Sequence, residues 1–182
     1  MAVVYNVEID QGADWYINFV YNQPAEITNI SANGTTVTYT AVNGFTAAQK
    51  VSISGVLPSQ YNLQDVTVAS ATASNFTITN GATGTYISGG FAYAPVNLTS
   101  YTAELQIRSL PSSPDAVLTL STSNNGIAIT ALTGTIECHA TAAQTRAIDE
   151  GTYYYDIEIT SLSGIVTRVA QGQVIVSAEV TR

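Results

Sequence analysis

Apolar and polar positions alternate with a period of two along most of the chain. Val3–Ile9 places Val3, Tyr5, Val7 and Ile9 on one side, and Trp15–Tyr21 does the same with Trp15, Ile17, Phe19 and Tyr21. Successive side chains of a strand point to opposite faces, so each pattern predicts a half-buried strand. Gln11-Gly12-Ala13-Asp14 between them predicts a turn. From Pro24 the texture changes. Charge nearly vanishes, and short Thr-, Val- and Ile-rich stretches follow at 37–41, 50–53, 65–69, 75–79 and 85–88. Asn33-Gly34, Asn43-Gly44, Ser54-Gly55, Asn80-Gly81 and Gly89-Gly90 lie between or beside them, the punctuation of a small all-β unit. After Pro95 the stronger alternation returns, with strands predicted at 101–109, 117–121, 127–130, 135–139, 152–160, 165–171 and 173–180. Ala-rich 140–148 is the one predicted helix.

Ser161-Leu162-Ser163-Gly164 predicts a three-residue hairpin loop with Gly164 in the left-handed region. In that register Glu158 faces Arg168 and Ile157 faces Val169, which keeps charge on one face and apolar groups on the other.

These elements predict an all-β fold of two small antiparallel β-sandwich or barrel-like units with one short helix. The shifts in texture at Pro24 and Pro95 predict that the second unit is inserted into the first. Residues 1–23 and 95–182 would then form a discontinuous β-sandwich domain, and 24–94 an inserted β domain. A single large sandwich is the alternative.

Composition narrows the function. The 182 residues carry 13 Asp and Glu against 5 Lys and Arg, a net charge of −8, so a nucleic-acid backbone would be repelled. No apolar run reaches the roughly eighteen residues of a membrane helix, and the opening residues show no signal-peptide pattern. Cys138 is the only cysteine, which excludes an internal disulfide and a thiolate metal cluster.

The candidate chemistry is sparse. Cys138 and His139 adjoin on one predicted strand and point to opposite faces, so they do not form a nucleophile–base pair. Asp156 and Glu158 share a strand face, the kind of carboxylate pair that glycosidases use, but here they fit a solvated face opposite Tyr153, Tyr155, Ile157 and Ile159. Asp10 and Asp14 lack the spacing of a calcium loop. Accordingly no catalytic, cofactor-binding or metal-ligating residue is assigned, no cofactor is expected, and the chain is read as a non-enzyme.

Tyr is abundant, with 11 residues, and favours interfaces and sugar-binding surfaces. Lys50 is the sole lysine, whereas exposed sheet edges are usually guarded by lysines. Both features point to a homo-oligomer or a subunit covered by partners.

Three stretches carry a resemblance. They are Gly151-Thr-Tyr-Tyr-Tyr-Asp-Ile-Glu-Ile-Thr160 with Gly164-Ile-Val-Thr-Arg168, Gly172–Val176 and Glu179-Val-Thr-Arg182; Leu98–Arg108; and Gly126–Thr145 with its short Ala-rich helix. Together with Gln11–Trp15 they resemble a small β domain of tailed-bacteriophage structural proteins, found in tail, baseplate and fibre-attachment proteins and similar to the N-terminal domain of baseplate upper proteins. Val37–Thr40, Gly44–Thr46, Val51–Val56, Val66–Val68 and Asn75–Ile78 resemble a β module common in phage structural proteins. The resemblance implies a virion structural protein of the tail, baseplate or fibre-attachment region. It would be assembled in the host cytoplasm and act by contacts with other virion proteins, with 1–23 and 95–182 docking on the virion. Two alternatives stand beside it: a capsid decoration or neck protein, and a host-attachment module that binds a surface glycan on an aromatic platform of Tyr39, Phe45, Tyr61 or Tyr86.

Overall fold

The computed structural model describes residues 2–180, so the Thr181-Arg182 ending lies outside the described residues. Its strands, in chain order, are β1 (Val3–Val4), β2 (Val7–Asp10), β3 (Trp15–Val20), β4 (Asn22–Glu26), β5 (Asn29–Ala32), β6 (Thr36–Thr40), β7 (Lys50–Ser54), β8 (Leu63–Ala71), β9 (Asn75–Thr79), β10 (Phe91–Pro95), β11 (Thr102–Arg108), β12 (Leu118–Ser121), β13 (Ile127–Thr130), β14 (Thr135–Ala140), β15 (Gly151–Thr160) and β16 (Val166–Ser177). The one α-helix among the described residues is α1 (Ala142–Arg146). The protein is therefore all-β with one short helix.

The chain forms two compact units, one of residues up to Tyr21 with those from Asn97 onward, the other Asn22–Val96. Asn22 pairs with Pro95 and Gln23 with Ala94, so the smaller unit takes in two residues on either side of 24–94.

The larger unit has a six-stranded sheet in the order β1-β16-β15-β11-β12, with β2 also on β16, and a three-stranded sheet β13-β14-β3. Alternation sends Ala103, Leu105 and Ile107 of β11 and Tyr155, Ile157 and Ile159 of β15 into one core. Trp15, Ile136, Cys138 and Ala140 of the smaller sheet are buried as well. The turn 11–14 is tied to α1: the Thr145 hydroxyl accepts from the Gly12 N–H at 3.1 Å and donates to the Ala13 carbonyl at 2.8 Å. Asp14 accepts the Ala142 N–H, and Thr141 and Gln144 complete a capping box, so the first free N–H groups of a five-residue helix are satisfied.

Two strands depart from expectation because of one glycine. Val3–Ile9 is two strands, not one. β1 and β2 both run parallel to β16, at Ala170–Gln171 and Val174–Ser177, in one register, with the ladder interrupted at Tyr5-Asn6. Only Val7 and Ile9 of the predicted apolar face are buried; Val3 and Tyr5 are exposed. Gly172, expected to separate two strands, lies inside the single strand β16, which ends at Ser177. A β-carbon on Gly172 would sit 2.1 Å from the Tyr5 carbonyl oxygen, so glycine is what lets the N-terminal segment lie across β16.

The smaller unit orders its strands β4-β10-β7-β8-β9-β6-β5. β8 pairs with β7 through its first half and with β9 through its second, changing register twice. Asp65, at φ 50°, stands in the first irregularity. Ile53, Tyr39, Tyr61 and Phe76 fill the core. The stretch 85–88 is a loop held by the Leu57–Ser88 bridge rather than a strand. The strand there is Phe91–Pro95, which buries Ala92 and Ala94 and turns Phe91 and Tyr93 outward.

Candidate functional site

A concavity of about 800 Å³ lies in the larger unit over the outward face of the six-stranded sheet. Three strands furnish it through cross-strand pairing. Gln106 stands opposite Asp156, and Arg108 opposite Tyr154. On the other flank of β15, Glu158 stands opposite Arg168, Asp156 opposite Gln171, and Tyr154 opposite Gln173.

The expected Glu158–Arg168 register is present, and the Ser161 N–H bonds the Ile165 carbonyl at 2.9 Å with Gly164 at φ 81°. The Ile157–Val169 pairing is not present. Ile157 faces Ala170, because β16 carries one extra residue between the partners of Ile157 and Glu158. Val169 and Ala170 are both buried in consequence. A bulge of this kind re-aims the residues beyond it. Without it Arg168 and Gln171 would point to opposite faces; with it, Arg168, Gln171 and Gln173 all line the groove.

The groove's polar groups hold one another. Arg168 lies 3.0 Å from Asp156 Oδ2 and 3.2 Å from Glu158 Oε1, and donates to Gln171 Oε1 at 3.1 Å. Arg108 donates to Gln106 Oε1 at 2.6 Å and to the Ser113 carbonyl, while Gln106 donates to Glu104 Oε1 at 2.6 Å. Burial pushes the Asp156 carboxyl above its usual range, and Glu158 and Glu104 add to that; Arg168 and Arg108 pull the other way. At the N-terminal side, Asn6 Oδ1 accepts the Gln173 N–H at 3.0 Å.

The structure thus places the Asp156 and Glu158 carboxylates on one concave face but bridges both with a single guanidinium. The three consecutive tyrosines divide. Tyr155 is buried, donates to the Tyr5 carbonyl at 2.8 Å, and has its phenol pushed up to about 12 by burial. Tyr154 lines the groove, and Tyr153 bonds the Asp149 carbonyl. The contributions of Arg108, Gln106 and Asn6 were not evident in the sequence. For Gln106 and Arg108 the only signal was the polar half of the β11 alternation, and the partner strand that completes it lies some fifty residues away; Asn6 carried only its polar place in the alternation of 3–9.

The remaining candidates lie elsewhere. Cys138 faces the core, where burial raises its thiol to about 12. His139 faces outward, stacked on Tyr16 with centroids 4.3 Å apart and Nε2 3.6 Å from Asp14 Oδ1. Asp10 accepts the Ser177 hydroxyl at 2.7 Å. Among the described residues no group of three or more His, Cys, Asp or Glu could hold a metal ion.

The aromatic platform expected on the smaller unit is not formed. Tyr39 and Tyr61 are fully buried, Phe45 packs edge-on against Phe76, and Tyr86 spends its hydroxyl on the Ile27 and Gly89 carbonyls. These rings pack in or against the unit's apolar core instead. Phe91 and Tyr93 are the outward pair, with centroids 6.3 Å apart.

No known family model and no curated protein matches this chain.

Proposed function

We propose that the chain is a non-enzymatic structural protein of a tailed-bacteriophage virion, in the tail, baseplate or fibre-attachment region, acting through protein–protein contacts. The observation that carries the assembly part of this reading is the amount of large apolar side chain left in solvent at sheet margins and loop tips. Val3 is 63% exposed and Val4 70% on the marginal strand β1; Leu162 is 86% and Ile165 65% exposed at the β15–β16 turn. On the smaller unit Phe91 and Tyr93 stand outward beside Pro24. Exposed apolar surface of this kind is covered by partners or promotes aggregation. Lysine does not guard the margins, since Lys50 lies on β7, inside the strand order. The placement in a phage virion rests on the sequence resemblance.

The test is sedimentation of a lysate from the source organism, with the chain quantified by mass spectrometry across the gradient. Co-sedimentation with tailed particles at a fixed copy number is expected. Recovery of the chain only among free proteins would refute the reading.

A further inference from the structure

We infer that the groove of the larger unit binds a neutral oligosaccharide. Four observations lead there. The groove is preformed and concave, as small-ligand sites are. It crosses β1, β16, β15 and β11, and three inter-strand steps of about 4.8 Å make a span of about 14 Å, which two or three pyranose rings fill.

Its chemistry is the third observation. The lining is dominated by planar polar side chains: amides Asn6, Gln106, Gln171 and Gln173, carboxylates Asp156 and Glu158, and the two guanidiniums. The charged groups of the lining, Asp156 and Glu158 against Arg108 and Arg168, sum to zero. Arg168 is spent on Asp156 and Glu158, and Arg108 on Gln106 and the Ser113 carbonyl. A free anion or cation therefore meets no net charge in the lining. A sugar hydroxyl, with one donor and two acceptor positions, suits a surface on which donors and acceptors alternate. The network also holds these side chains in place before any ligand arrives, so little rotamer entropy remains to be lost on binding.

The fourth observation is Tyr154. It is half-buried and lines the groove between Arg108 and Gln173, giving the polar surface an apolar ring. Aromatic rings with a polar tip serve sites where one side of the ligand is apolar, as the C–H face of a pyranose is. The exposed pair Phe91 and Tyr93 belongs to the other unit, is flanked by Ser52, Ser54 and Pro24, and does not line this groove.

The test is an NMR titration of the isotope-labelled full chain. The probes are neutral di- to tetrasaccharides of glucose, galactose, mannose, rhamnose and N-acetylglucosamine at millimolar concentration, with oligogalacturonate as the anionic control. At least one neutral probe should give saturable shifts at the amides of 4–6, 104–108, 154–158 and 168–173. Gln106→Ala and Tyr154→Ala should each weaken that binding at least tenfold, and Phe91→Ala should leave it unchanged. Gln106→Ala, on the outward face, keeps the test decisive if Tyr154→Ala does not fold. No saturable shift from any neutral probe, shifts confined to residues near Phe91 and Tyr93, or tighter binding of oligogalacturonate would overturn the inference. Each of these failures leaves the assembly reading standing, because that reading is scored by co-sedimentation.

Discussion

Gly172 is the residue on which the N-terminal segment depends. The Tyr5 carbonyl occupies the space a β-carbon would need and accepts the Tyr155 hydroxyl there. Gly172→Ala must either push the segment off β16 or distort it, and the cost expected for such overpacking is about 1–3 kcal/mol. A urea melt checks it, and an unchanged midpoint would mean that the crossing adjusts freely. Buried acids set the alkaline limit: burial raises the Tyr39 phenol, the Cys138 thiol and the Tyr155 phenol. Cys138 rises from 9.0 to about 12 and Tyr155 from 10.0 to about 12, both chiefly through burial. Each raised value stabilises the neutral folded form below the unfolded pKa. Above it the unfolded state releases the proton first, so that stability is lost between about pH 9 and 12. The melting temperature is expected to hold to pH 8.5 and fall steadily to pH 11, with a shallower fall in Cys138→Ala. The same burial makes Cys138 inert to a thiol reagent at pH 8 until the protein unfolds.

At the scale of elements, the β15–β16 hairpin turns on Gly164, which has open space around it and a positive φ of 81°. Gly164→Val is thus penalised by backbone conformation alone, by at least about 1 kcal/mol in a thermal melt. The α1 cap is a second element with a definite value: Thr141→Ala removes the acceptor for the Gln144 N–H and should cost about 0.5–2 kcal/mol. Most strands were legible because their alternation matches burial, as in Tyr155, Ile157 and Ile159. Those that were missed break that match. In β10 the large residues Phe91 and Tyr93 face outward while alanines fill the core, so side-chain size runs against burial. In β4, Pro24 reads as a break but is tolerated on a marginal strand. In β5, Ile30 is the only large apolar residue. The groove was half legible. The polar faces of β11 and β15 could be read from their alternation, but a bulge at Val169 has no period-two signature, and it is the bulge that brings Arg168 into line with Gln171 and Gln173.

At the scale of the molecule, each unit carries its own core, and the ends of the smaller one are joined by the Asn22–Pro95 pairing. Replacing 22–96 with a short Gly-Ser linker is expected to leave the larger unit folded, with a cooperative melt and the same saturable groove shifts. Loss of the cooperative transition would show that the units are one folding body. On the proposed assembly reading, the uncovered apolar side chains at sheet margins and turn tips face partners, and sedimentation velocity at micromolar concentration should show self-association. The measurement that reaches the central claim most directly is a cryo-electron map of the tailed particle with which the chain co-sediments. The account predicts that both β units fit density in the tail, baseplate or fibre-attachment region, with Val3, Val4, Leu162 and Ile165 covered by neighbouring subunits. Density for the chain on the capsid alone, or on no part of the particle, would contradict it.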